Sequence, residues 1–322
     1  MLNFNEVVRM RKKIWRIILL MITLTLLVSA CQVNPATDQD DQTGIKVIAV
    51  ESFLADIVQN VAGDRLIVET LMPEGLDPHS FEPTPMDVAR ISDSDILFVN
   101  GAGFEEWLED IIENLPADQI IIETSTGLQS RTIEEGHSED DGHDHEIDPH
   151  FWLDPNLVIT YVENIRDGLI AVDPQGKDQY SANAETYIQQ LKELDVYIQE
   201  KIASIPPERR LIVTNHESFG YFADRYGFKV VGTIIHSVSS GSAPSAQQMA
   251  ELVDQMRASG AIAIFMETGS NPQLAEQLSS ETGIKVVYDL YTHSISEADG
   301  NAPSYIGLMK YNVEQMVRAL AE

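Results

Sequence analysis

The chain has 322 residues, 43% of them hydrophobic, and carries 51 Asp+Glu against 21 Lys+Arg, a formal net charge of −30. So acidic a protein is repelled by nucleic acid and has no polybasic surface for anionic lipid, whereas cations are drawn to it. Its one cysteine, Cys31, excludes an internal disulfide.

Arg9, Arg11, Lys12, Lys13 and Arg16 form a basic n-region ahead of the apolar run Ile17 to Val28. That run is short for a membrane span and ends in Val28-Ser29-Ala30-Cys31, a small-residue cleavage pattern. The pattern resembles a bacterial lipobox, in which Cys31 becomes the lipidated N-terminus of the mature protein. Residues 1–30 are therefore expected to be a lipoprotein signal peptide, and residues 31–44, polar and acidic, a flexible tether. Removing the five basic residues and one acid of the signal peptide leaves 16 Lys+Arg against 50 Asp+Glu, a charge of −34.

The next segments alternate. Lys46 to Val50, Leu66 to Leu71, Ile96 to Val99 and Ile120 to Ile122 read as short strands. Phe53 to Val61 and Trp107 to Ile112 read as helices, and Thr84-Pro85 as a helix start with a hydroxyl cap and proline at its first position. Such alternation predicts parallel α/β layers, here a lobe over residues 45–176. Within it the acidic loop 129–149 holds His137, His143 and His145 and almost no apolar residue.

Leu157 to Val172 is helical. Asp178 to Ile205 then runs unbroken, with Tyr180, Tyr187, Leu191, Leu194, Ile198 and Ile202 at helical spacing. One helix of about 28 residues would be about 42 Å long, a connector over residues 177–208. From Leu211 the alternation resumes in a second lobe, 209–322. Leu211 to Thr214, Lys229 to Val231, Ile262 to Phe265 and Lys285 to Tyr288 read as strands, with helices near Phe219, Ser245, Asn271-Pro272 and Pro303-Ser304. The second half mirrors the first in content without a clear sequence repeat.

Four histidines, His79, His150, His216 and His293, fall about seventy residues apart. Two sit in matching turns, Asp77-Pro78-His79 and Asp148-Pro149-His150; His216 and His293 follow apolar strands. Ligands of open α/β sheets collect at the carboxyl ends of strands, and neutral imidazole is a common ligand for zinc and other transition metals. Two histidines per lobe would clamp one ion in the cleft, and the neighbouring acids would orient their rings. His236, beside a serine-rich stretch, is left out of this set.

Four blocks carry a family resemblance: Asp77-Pro78-His79-Ser80-Phe81-Glu82-Pro83-Thr84-Pro85, Asp148-Pro149-His150-Phe151-Trp152-Leu153-Asp154-Pro155, His216-Glu217-Ser218-Phe219-Gly220-Tyr221-Phe222, and Tyr305 through Tyr311-Asn312. Over nearly its whole mature length the chain resembles the metal-binding lipoproteins of zinc/manganese ABC transporters, the cluster A-I solute-binding proteins. The resemblance implies two Rossmann-like α/β lobes joined by one long rigid helix, with the metal in the interlobe cleft. It implies an exported monomer, lipid-anchored to the outer face of the cytoplasmic membrane, that delivers its ion to a permease driven by an ATPase. His79 and His150 carry over directly. His216 stands where zinc-type members have histidine and manganese-type members often have glutamate. The fourth position departs from the pattern: many members have a carboxylate, this chain has Thr292-His293-Ser294. Asp289, Glu267 or water are the alternatives to His293 there.

Four imidazoles suit Zn²⁺, whereas Mn²⁺, the alternative cargo, prefers oxygen ligands. The loop with His137, His143 and His145 resembles the accessory metal-collecting loops of zinc-type members. One rival reading is a secreted zinc hydrolase with three histidines, a water and Glu217 as base. Against it, the chain has no His-Glu-x-x-His helix, and a fourth histidine closes the open position. A second rival is an adhesin, for which no partner surface is legible.

Overall fold

The computed structural model describes residues 44–116, 119–131, 147–237 and 244–321. Residues 1–30, Cys31 and the tether up to residue 43, and His137, His143 and His145 of the acidic loop, lie outside the described residues.

The first lobe contains β1 (Val47–Ala49), α1 (Ser52–Ala62), β2 (Val68–Thr70), α2 (Pro85–Ser92), β3 (Ile96–Val99), the short α3 (Glu109–Ile112), β4 (Ile120–Glu123) and α4 (Val158–Val172). The connector is α5 (Lys177–Ile202), and the second lobe follows as β5 (Leu211–Thr214), α6 (Gly220–Tyr226), β6 (Lys229–Thr233), α7 (Ala246–Ser259), β7 (Ala263–Glu267), α8 (Gln273–Thr282), β8 (Lys285–Leu290) and α9 (Tyr305–Leu320). Each lobe has a four-stranded sheet, in the orders β2-β1-β3-β4 and β6-β5-β7-β8, and every strand pair is parallel. The two orders are the same order, so the mirrored content of the halves is a mirrored topology.

Local chemistry fixes the helix ends. Thr84 caps α2 through a reciprocal capping box with Asp87, and Pro85 opens the helix where no amide hydrogen is needed. Ser245 and Gln248 do the same for α7, which stops at Gly260 in the left-handed region. The connector α5 has 26 residues and ends earlier than the apolar spacing predicts. Ser204 and Ile205 bond three residues back instead of four, because Ile205 precedes a proline and is pushed away from helical ψ.

The connector ties both lobes. Near its start Asn183 donates to Val61 O at 3.0 Å and Gln179 to Asp64 Oδ1 at 2.6 Å. Nearer its end Asp195 accepts from Arg225 and Tyr226, and Tyr197 donates to Glu314. One apolar cluster runs through both lobes along this helix, from Phe53 and Trp152 through Tyr187 and Leu191 to Phe222 and Met316. Smaller clusters cover the outer faces of the two sheets.

The lobes also meet directly. Trp152 Nε1 donates to Thr292 O at 2.6 Å, Tyr305 OH to Trp152 O at 2.6 Å, and Ile295 N to Ser52 Oγ at 3.0 Å. Gly75 N donates to Ser294 Oγ at 3.2 Å. Beside it a Cβ on Gly269 would stand 2.7 Å from Gly75 O, so only glycine permits this approach of backbone to backbone.

Candidate metal centre

The four histidines converge from four loops, and their ligand nitrogens all lie within 4.8 Å of one another. His79 is in the single 3₁₀ turn Pro78–Ser80, capped by Asp77, whose side chain accepts from His79 N. His150 precedes the 3₁₀ turn Phe151–Leu153. Its Asp148 accepts both from His150 N, at 3.0 Å, and from the ring Nδ1, at 2.9 Å. The two Asp-Pro-His segments thus form the same turn, in which an aspartate satisfies the amide two residues on. Asp148 is itself held by Arg131 Nη1 at 3.3 Å, and its backbone carbonyl accepts from Tyr221 OH at 2.8 Å.

His216 lies just past β5, and His293 just past β8. Glu267, the last residue of β7, stands behind both: its Oε1 is 2.7 Å from His216 Nδ1 and its Oε2 is 3.5 Å from His293 Nδ1. Ser218 Oγ and Thr292 Oγ1 also donate to this carboxylate, at 3.3 and 2.6 Å. Glu267, one of the alternatives for the fourth position, therefore faces the back of two histidine rings. Asp289, the other, is exposed. A β-bulge accounts for that. β7 advances two residues from Phe265 to Glu267 while β8 advances three, from Val287 to Leu290, and Asp289 in the extra step has φ +66°. A bulge bends the strand end and re-aims the residues beyond it; here it turns Asp289 to solvent and brings Thr292 and His293 into the cleft.

His150 and His216 are fully buried, His293 is 8% exposed, and His79 is partly buried. Phe104 packs edge-on to His79 with ring centroids 5.0 Å apart, and Trp152 lies 5.1 Å from His150. These walls keep water back from the ring edges. Burial, then His216, lowers His79 to about 4. Burial also holds His150 and His293 well below the usual imidazole value. Burial pushes His216 the same way, but the Glu267 carboxylate outweighs it and the net direction is up. Burial likewise raises Glu267, and His216 overcomes this to bring it to about 2.

This donor set fits a divalent transition metal. Nε2 of His79, Nε2 of His293 and Nδ1 of His216 are buried with no hydrogen-bond partner among the described residues, the last at ion-pair distance from Glu267, and His150 Nε2 stands 3.3 Å from His216 Nε2. A tetrahedral ion with metal–nitrogen bonds of about 2.0–2.1 Å needs nitrogen–nitrogen edges of about 3.3–3.4 Å. One edge is already that length. Ser218, Thr292, Arg131 and Tyr221, which hold the orienting carboxylates, carry no signal of that role in the sequence.

Comparison with known proteins places the chain among metal-binding relatives. A family model described as zinc-uptake complex component A, periplasmic (ZnuA), matches residues 47–319. The manganese-binding lipoprotein MntA of Halalkalibacterium halodurans is 35% identical over 301 residues, which cover 94% of this chain and 97% of that protein. Among solved structures, the Mn-bound periplasmic metal binding protein of Candidatus Liberibacter asiaticus superposes with a TM-score of 0.75 at 30% identity, covering 86% of this chain and 99% of that one. The periplasmic zinc binding protein TroA of Treponema pallidum gives 0.78 at 28% identity, covering 87% of this chain and 100% of its own.

Proposed function

The chain belongs to the zinc-uptake complex component A family, and we propose from this and the site that it captures Zn²⁺ between its lobes and delivers it to the permease of a metal ABC transporter. Members of the family are solute-binding proteins and not enzymes, so the hydrolase reading is set aside. The ligands in this proposal are His79, His150, His216 and His293.

The observation that carries zinc is the donor set. Four buried imidazole nitrogens within 4.8 Å of one another offer a nitrogen tetrahedron with no oxygen among the ligands, which suits Zn²⁺. The second reading, manganese, is favoured by the names of MntA and of the Mn-bound structure. A titration of metal-free mature chain with each ion against a competing chelator separates them. Tighter Zn²⁺ than Mn²⁺ binding is expected, with the ratio narrowed in His293→Asp, which adds an oxygen donor. Manganese bound as tightly as zinc would transfer the assignment to the second reading.

The remaining parts of the proposal concern the chain outside the described residues. Cys31 is the lipid anchor, holding a monomer at the outer face of the cytoplasmic membrane beside its permease and ATPase; Cys31→Ala should shift the protein from the membrane to the soluble fraction. His137, His143 and His145 collect metal without being ligands of the tight site. Asp148 N donates to Arg131 O at 3.2 Å, so the ends of this loop are already together. Excising residues 132–146 while keeping Arg131 should remove weak sites and leave the tight one. Among the described residues no helix is long and apolar enough to cross a membrane.

A further inference from the structure

We propose that Glu267 is a shared positioning residue: one buried carboxylate that fixes the Nδ1 side of both second-lobe histidines and thereby aims both Nε2 atoms at the ion. The inference rests on the metal-binding reading above.

The geometry supports it from three directions. Glu267 is only 5% exposed, and a carboxylate taken out of water needs compensating partners. Each oxygen has two. Oε1 faces His216 Nδ1 at 2.7 Å and accepts from Ser218 Oγ at 3.3 Å. Oε2 faces His293 Nδ1 at 3.5 Å and accepts from Thr292 Oγ1 at 2.6 Å. Thr292 Oγ1 also lies 3.3 Å from His293 Nδ1. A hydroxyl that donates to Glu267 has its lone pairs free to accept the Nδ1 hydrogen of His293. The carboxylate therefore reaches His293 directly and through Thr292.

The chemical consequence is the tautomer. A ring whose Nδ1 carries its hydrogen toward an acceptor presents a bare Nε2 lone pair, and the acceptor makes that nitrogen a stronger donor to metal. Four neutral imidazoles bring no charge to a divalent cation. Glu267 supplies a negative charge next to two of them without occupying a ligand position, and so preserves the all-nitrogen set. Its placement at the end of β7, between β5 and β8 in the sheet, lets one residue serve the loops that leave both neighbouring strands.

Metal-free wild type, Glu267→Gln and Thr292→Val are titrated with Zn²⁺ against a chelator, then loaded with Co²⁺ as a spectroscopic probe of ligand geometry. Glu267→Gln keeps the shape and removes the charge. It is expected to lower Zn²⁺ affinity about 10- to 100-fold and to change the visible Co²⁺ spectrum. Thr292→Val is expected to shift both in the same direction by less. Wild-type affinity and an unchanged Co²⁺ spectrum in Glu267→Gln would overturn the proposal. Should Glu267→Gln fail to fold, Thr292→Val decides, and wild-type behaviour there overturns it as well. A wild-type protein that takes up neither ion in the cleft instead removes the functional reading on which the proposal rests.

Discussion

The two lobes have the same sheet order but use its central crevice differently. β1 and β3 of the first lobe correspond to β5 and β7 of the second. In the second lobe this crevice holds His216, just beyond β5, and Glu267, at the end of β7. In the first lobe the same places hold Glu51, just beyond β1, and Asn100 with Glu105, just beyond β3. Glu51 and Glu105 are 1% and 6% exposed, and Glu105 accepts from the amides of Asn100 and Gly101 at 2.6 and 3.1 Å. The first-lobe histidines come instead from flanking loops, each with its own aspartate two residues earlier. One lobe thus puts its histidine in the crevice and shares one acid between two rings, while the other makes the crevice a buried footing and sets a separate aspartate two residues before each histidine.

The largest effect tests whether the two lobes contribute to one ion. Structural zinc sites release roughly 10–16 kcal/mol over their ligand set, so one lost ligand of four should weaken binding on the order of a few hundredfold. His150→Ala and His216→Ala should therefore fall by similar factors in a chelator competition. A loss confined to the second-lobe change would mean that the first-lobe histidines are not ligands.

Next comes the buried acid pair. Burial, then the Glu105 carboxylate, holds Glu51 well above the usual carboxylate range, and burial raises Glu105 to about 7. The folded chain therefore keeps protons that the unfolded chain releases. That stabilisation is present below about 4.5 and is lost as pH rises through 7, by on the order of 3 kcal/mol for Glu105. Urea unfolding of metal-free wild type and Glu51→Gln should agree near pH 5 and diverge near pH 8, with the variant more stable. Taking the difference separates the pair from His79, His150 and His293, whose lowered values act in the opposite sense, and from His216, whose value is raised. Parallel curves across that range would mean that the crevice of the first lobe holds no extra proton.

A smaller effect separates private from shared acids. Asp148 orients one ring and Glu267 two, so Asp148→Asn should lower Zn²⁺ affinity by about tenfold, less than the change at Glu267. Arg131, which pairs with Asp148 across the base of the acidic loop, gives a control: Arg131→Gln leaves the carboxylate on His150 and should reduce affinity by less again. Equal losses at Asp148 and Glu267 would erase the distinction between the lobes.

Legibility in the sequence depends on sequence distance. Strand and helix alternation is local, and β3 and β5 fall where their apolar runs predict. Asp77 and Asp148 sit two residues from their histidines, so the motif exposes both the histidine and the aspartate that holds its amide. Glu267 is far in sequence from both rings it faces, and only the parallel order β5-β7-β8 brings them together. It is legible as a candidate ligand but not as the residue behind two histidine rings. The crevice pair Glu51 and Glu105 gives no signal, since each is an isolated acid in an acidic chain. The bulge hides the end of β8: Lys285 to Tyr288 reads as the strand, while pairing continues to Leu290 past a residue whose backbone no apolar pattern encodes.

That bulge supports the smallest prediction. Asp289 holds φ +66°, a conformation that aspartate tolerates better than most residues and that a β-branched side chain resists. Asp289→Gly relieves the backbone but loosens the unfolded chain, two terms of similar size, so stability should change by no more than about 0.5 kcal/mol. Asp289→Val should cost about 1–2 kcal/mol. Because Asp289 is exposed and the cleft is reached by Thr292 and His293, the glycine variant should bind Zn²⁺ as the wild type does. The pair of measurements separates two ways in which this acid can matter. Loss of stability in the valine variant with unchanged affinity in the glycine variant assigns it to the backbone. A tenfold loss of affinity in the glycine variant would place the carboxylate at the ion, and the second lobe would then present an oxygen donor that the first lobe lacks.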